Sequence, residues 1–256
     1  MSFAVQARAY QRFMGRFSEP LAREFVGLLG PAPGDRVLDV GCGPGALTAE
    51  LAAIVGEHGV SAIDPSAPFV EALRGRLPEV DARTGVAEDL PWPDDLFDLT
   101  AAQLVVHFLS EPVVGLREMA RVTRPGGRIA ACVWDHAGTR GPLSVFWQAV
   151  HELHPDAPGE GGLAGTAEGQ LARLCAEADL EEIVAGTLTV TVRFPDAADW
   201  WDPFTLGVGP AGALVAGLDD AARESLRRRC VELLPSGPFT LDATAWVVTA
   251  RVPVGR

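Results

Sequence analysis

Cysteine is scarce in this chain. The four residues, Cys42, Cys132, Cys175 and Cys230, are scattered, with no CxxC pair and no histidine nearby at metal spacing. That scatter excludes a disulfide framework and a cysteine-based metal site, and reduced thiols in the cytoplasm are the expectation. Positive charge is also short: 21 Lys and Arg face 34 Asp and Glu, for a formal net charge of -13. Such a surface repels a phosphate backbone and no basic stripe offsets it, so no nucleic-acid partner is expected. No window reaches the roughly 18 apolar residues of a membrane span, so no membrane is expected as a partner. The opening stretch MSFAVQARAYQRFMGRFSEP is amphipathic and lacks the continuous apolar segment of a secretory signal. Internal repeats and low-complexity tracts are absent as well.

What is present reads as a globular α/β chain. Hydrophobic residues make up 48% and charged residues 21% of the 256, a balance that supports a well-buried core rather than disorder. Residues 2–30 carry apolar side chains at helical spacing, with Gly15 and Pro20 expected to break the stretch into two helices. From DRVLDVGCGPG onward, apolar runs alternate with helical patterns. Strands are expected in DRVLDVGCGPG, HGVSAIDPS, VDARTGVAEDL, LFDLTAAQLVVHF and GRIAACVWD, with helices between them and a stop at Pro125, Gly126 and Gly127. That rhythm predicts a parallel sheet with right-handed crossovers and helices on both faces. After Asp135 it changes: helix, Gly/Pro-rich linker, helix, an alternating strand in EEIVAGTLTVTVRF, a mostly helical 196–236, and a last strand in FTLDATAWVVTARV. The last two strands are expected to pair antiparallel at one edge.

The chemistry-bearing motif is the turn Gly41-Cys42-Gly43-Pro44-Gly45 after the first strand. Glycines there let backbone pass close to a ligand because no Cβ intervenes. Alone the pattern is weak, since dinucleotide-binding folds share it and a turn needs glycine for geometry. Three features tighten it: Asp39 just before the turn, Asp64 ending the second strand where a carboxylate can accept ribose hydroxyls, and Gly85-Val86-Ala87-Glu88-Asp89 after the third.

With these stretches, VLDVGCGPGALT, AIDPS, GVAEDLPWPDDLFDL and REMARVTRPGGRIAACVWD, the chain resembles the class I S-adenosylmethionine-dependent methyltransferases. The resemblance is to the ubiquinone/menaquinone-biosynthesis-like small-molecule branch, and YQRFMGRFSEPLA looks like its N-terminal cap. It implies a Rossmann-like, doubly wound seven-stranded sheet in the order 3-2-1-4-5-7-6 with strand seven antiparallel. It further implies one methyltransferase unit over 1–256: cap helices at 2–30, a cofactor core at 35–135, and substrate caps at 136–165 and 196–236. By the same resemblance, Gly41, Cys42, Gly43 and Gly45 would hold the methionine portion of S-adenosylmethionine and Asp39 would organise that site. Asp64 with Pro65 would bind the ribose, Ala87 and Glu88 would border adenine, and Gln103 would lie near the methionine amino group. Many members carry Asp where Val86 stands, so a contact to the adenine amino group is missing or comes from Glu88. Tyr10, Met14 and Arg16 could fold over the cofactor from the cap, with Arg16 either pairing with its carboxylate or simply solvated.

A small organic acceptor would sit beyond the carboxyl ends of the strands, under the three caps. Their aromatics, Phe13, Phe17, Phe146, Trp147, Trp200, Trp201 and Phe204, are divided between that chamber and ordinary core. Methyl transfer needs alignment first. For a hydroxyl or amine acceptor, His107, Asp135 and His136 are the candidate bases, each also readable as an ordinary loop residue. No catalytic metal is indicated, and monomer and homodimer stay open. Two other readings compete: a protein that binds the cofactor without transferring methyl, and an NAD-dependent dehydrogenase, disfavoured because the loop reads GCGPGAL rather than GxGxxG.

Overall fold

The computed structural model describes residues 9–255, and residues 2–8 of the expected first helix lie outside them. Seven strands form one sheet: β1 (Val37–Val40), β2 (Val60–Asp64), β3 (Asp81–Thr84), β4 (Phe97–Gln103), β5 (Thr123–Trp134), β6 (Glu181–Phe194) and β7 (Phe239–Arg251). Their order is β3-β2-β1-β4-β5-β7-β6, as anticipated. The first five run parallel, with Val37 beside Val60 on one side and Leu99 on the other. β7 pairs antiparallel with both β5 and β6.

Period-two alternation sends neighbouring residues to opposite faces and so builds two cores. On one face Val37 and Leu99 join Leu21, Phe25 and Leu51; on the other Leu38 and Val40 join Leu116, Met119 and Leu171. The first face carries helices α1 (Arg16–Leu29), α2 (Ala46–Val55) and α3 (Ala67–Arg76). The second carries α4 (Pro112–Val122) and α6 (Gln170–Glu177); between them in sequence comes α5 (Ser144–Leu153). α1 is continuous through Pro20, which corrects the expected break. A wide π-type turn over Gln11–Gly15 lies just upstream.

The caps pack on one another as much as on the sheet. α7 (Ala197–Trp201) leads into a 3-10 turn at Asp202–Leu206, then α8 (Gly209–Gly217) and α9 (Asp220–Leu233). Phe204 of that turn stacks on Phe146 of α5 at 4.6 Å and meets Phe13 edge-on at 5.0 Å. One ring therefore ties all three caps together.

Candidate functional site

The glycine turn after β1 is stitched to β2. Gly41 and Cys42 both donate backbone N–H bonds to the Ile63 carbonyl, at 2.7 and 3.0 Å. A side chain at Gly41 would strike Val105, whereas a Cβ at Gly43 would meet no protein atom within 4 Å. Both residues have positive φ, at 70° and 53°, the left-handed region that glycine alone enters cheaply. The space over Gly43 is thus open cleft. Asp64 fixes the turn from the end of β2: one carboxylate oxygen accepts the Gly43 N–H at 2.9 Å and the other the Ser66 N–H at 2.8 Å. Burial pushes its carboxyl above the usual range, opposed by those two backbone bonds. Beneath, Asp39 is fully buried and accepts a 2.6 Å bond from the Thr48 hydroxyl of α2. Burial drives its carboxyl up to about 7.

The cleft encloses about 260 Å³ and is lined by Tyr10, Gly41, Gly43, Asp64, Pro65, Ala87, Glu88 and Gln103. Gln103 is 9% exposed and donates its amide N–H to the Ser18 carbonyl of α1, leaving Oε1 buried without a partner. A buried acceptor so placed calls for a donor from a ligand. Phe69, Leu104 and Phe108 also line it, and the sequence reading named none of them. The signal for Phe69 was one apolar residue in the first turn of the helix after Asp64.

Across Tyr10, Phe69, Leu104 and Phe108 lies a second cavity of about 260 Å³, which these four residues share with the cleft. Phe13, Met14, Trp134, Leu143 and Pro210 make it mainly apolar, with His107, His136 and Glu160 as its polar groups. His107 sits on the 3-10 turn Val106–Phe108 that follows β4, four residues beyond Gln103. Burial, with the second histidine adding, holds His107 down to about 3, and burial holds His136 down to about 4. Their ring centroids stand 6.0 Å apart. Glu160 accepts the Trp147 indole N–H at 2.7 Å, and burial raises its carboxyl. It comes from the Gly/Pro-rich linker, where a lone acid carries no sequence signal. His136 and Glu160 also face an outer cavity of about 740 Å³.

A family model described as "Methyltransferase domain" matches residues 38–131, the span from β1 into β5 that carries the turn and its acid. A 37.1 kDa uncharacterized protein in transposon TN4556 of Streptomyces fradiae is 32% identical over 225 residues, covering 86% of this chain and 63% of that protein. The demethylmenaquinone methyltransferase of Mycobacterium sp. (strain KMS) is 44% identical over 133 residues, covering 52% of this chain and 56% of that one. Over residues 38–131 the chain therefore carries a methyltransferase domain similar to those of the class I enzymes. It spans between about half and two thirds of the length of these curated relatives. The solved YcgJ protein of Bacillus subtilis superposes with a TM-score of 0.58 at 18% identity, covering 91% of this chain and 99% of that one, a likeness of fold.

The structure places the residues expected from the methyltransferase resemblance unevenly. Tyr10, Gly41, Gly43, Asp64, Pro65, Ala87, Glu88 and Gln103 meet at the cleft, while Asp39, Cys42 and Gly45 stand behind it. Glu88 already accepts the Ser110 N–H at 3.0 Å, and Val86 at the rim is half exposed. Arg16 is a correction: its guanidinium forms a two-pronged pair with Asp199 of α7 and lies over the Phe194 ring, away from the cleft. Asp135 is another. Its carboxylate is fully buried and accepts from the Gly138 N–H, the Arg140 guanidinium and the Trp246 indole, so it anchors a loop and offers the chamber no base. Of the cap aromatics named from the sequence for the chamber, Phe13 lines it; Phe17, Phe146, Trp200, Trp201 and Phe204 are core, and Trp147 faces the outer cavity.

Proposed function

We propose that this protein transfers a methyl group from S-adenosylmethionine to an O, N or C atom of a small organic acceptor, its core and caps acting as one unit. The observation that carries the reading is the unpartnered Oε1 of Gln103 in a cleft that shares a wall with an apolar chamber. The residues present fit this cofactor. Open space over Gly43 admits it, Gln103 Oε1 would accept from its ammonium group, and the Asp64 carboxylate retains lone pairs for ribose hydroxyls. Ala87 and Glu88 would border the base, and Asp39, bonded to Thr48, would hold the turn from below. When bound, S-adenosylmethionine supplies an electrophilic methyl group on a positively charged sulfur. This chain's part is to orient the acceptor, exclude water with Phe13, Met14, Trp134 and Leu143, and keep Tyr10 between the two spaces. Burial holds the Tyr10 phenol up to about 12, so it stays neutral there. The methyltransferase family match and the transfer activity in the relative's name support the same reading.

Calorimetry tests the cofactor, and transfer of a labelled methyl group to an acceptor panel tests the reaction. Saturable binding of S-adenosylhomocysteine with none of NAD is the expected result, and the reverse pattern would overturn the proposal.

A further inference from the structure

β6 is the outer edge of the sheet and is bonded to β7 on one side only. Long edge strands are normally blunted by charges, prolines or bulges, because their outward N–H and C=O groups pair readily with another strand. Here the blunting is confined to the two ends. A bulge with Glu182 at a φ of 47° marks the start, and Arg193 and Pro195 mark the finish. Between them, residues 183–192 carry neither charge nor proline, and their outward backbone groups take no hydrogen bond among the described residues. Val184, Ala185, Gly186 and Thr187 are exposed in succession, so both faces of the strand are open there. We propose that this edge pairs antiparallel with the same edge of a second copy of the chain, joining two sheets into one across a two-fold axis at Thr187.

Two features select a second copy over a foreign strand. The first is charge. Glu181 and Arg193 are both exposed, and neither has an ion-pair partner among the described residues. Arg251, opposite Glu181 in β7, bonds Glu182 instead at 3.0 Å, and Asp242 accepts the Thr191 hydroxyl at 2.6 Å. Antiparallel strands read in opposite directions, so an axis at Thr187 brings Glu181 of each copy level with Arg193 of the other. One strand thus supplies both halves of two identical ion pairs. The second feature is apolar cover. Val184 is 65% exposed on the face that further along buries Val190, Val192 and Phe194 against α1. The same axis sets it opposite Val190 of the second copy, where cross-strand side chains touch. The assembly closes at two, because each copy offers one such edge and both are consumed. β6 runs parallel to β5, so the two-fold turns the second glycine-turn cleft to the opposite rim of the joined sheet, and both clefts stay open.

Sedimentation equilibrium on the full chain at low salt, over a range of concentrations, tests the pairing. A monomer–dimer equilibrium is the expected result. Arg193→Glu and Glu181→Arg each set like charges together at both ends, and each should weaken the dimer at least about tenfold. The two changes in one chain exchange the charges and should restore the dimer to within about threefold of the parent. Val184→Lys, at the exposed apolar position, should also weaken it at least about tenfold. Amide hydrogen exchange gives a readout that needs no variant: residues 183–191 should exchange more slowly in concentrated than in dilute samples. A chain that stays monomeric at every concentration overturns the proposal, as does growth beyond a dimer. So does a dimer whose strength none of these variants changes, or exchange in residues 183–191 that is independent of concentration.

Discussion

Asp64 serves two partners at once: its oxygens hold the backbone of the glycine turn and of the next helix, and the same oxygens border the cleft. Asp64→Ala removes both functions. Loss of one charge-assisted hydrogen bond to a ligand, about 1.5–3 kcal/mol, predicts a drop in S-adenosylhomocysteine affinity of roughly tenfold to a hundredfold, read by calorimetry. Asp39 behaves differently because it is sealed beneath the turn. Burial raises its carboxyl from the ordinary 3.8 to about 7, so the folded chain holds that proton more tightly. The stabilisation from the proton is complete below 3.8 and is lost as pH rises through about 7. Asp39→Asn, which stays neutral, should therefore gain stability relative to the parent between pH 4 and 7 and level off above, in urea titrations at stepped pH. A flat difference over that window would mean Asp39 is ionised throughout it. At this scale Asp39 and Asp64 were legible because one precedes the turn and the other ends the next strand, while Gln103 came from the resemblance alone. The sequence reading missed Glu160, because nothing local marks which linker acid will fold back onto Trp147.

Elements were legible where a period was strong and obscure where a distant partner overrode a local signal. The seven strands were legible as apolar and alternating runs, and their order came from the methyltransferase resemblance. Pro20 misled: it stands near the start of α1, and the helix runs on through it. Arg16 misled for a different reason: the residue that claims it, Asp199, lies 183 positions away in α7. That pair clamps the N-terminal helix to the cap after β6, and it makes a prediction about both. Arg16→Ala should leave S-adenosylhomocysteine affinity within about twofold while costing at most about 1 kcal/mol of stability, as part-exposed ion pairs do. Calorimetry and thermal melting on the same sample check it. A tenfold or greater loss of affinity would return Arg16 to the cofactor.

For the whole molecule, cofactor binding and folding are linked, because the cleft is assembled from β1, β2, β4 and the N-terminal cap together. S-adenosylhomocysteine at a hundred times its dissociation constant should add about 2.7 kcal/mol. At roughly 2–4 °C per kcal/mol for chains of this size, the melting temperature should rise by about 5–10 °C. A smaller shift at saturation would mean that the ligand also binds the unfolded chain. Among the described residues no helix is long and apolar enough to cross a membrane.

β7 lies between β5 and β6, so the sheet cannot close in the order in which the chain is synthesised. When β6 leaves the ribosome, the strand it must pair with has not been made, and the whole 196–236 cap emerges first. Until β7 slides in, the edge of β5 is a bare row of N–H and C=O groups open to other nascent chains. The cap that roofs the acceptor chamber is thus translated before its foundation is complete, and a ribosome that stalls within it leaves a half-built sheet as a template for aggregation.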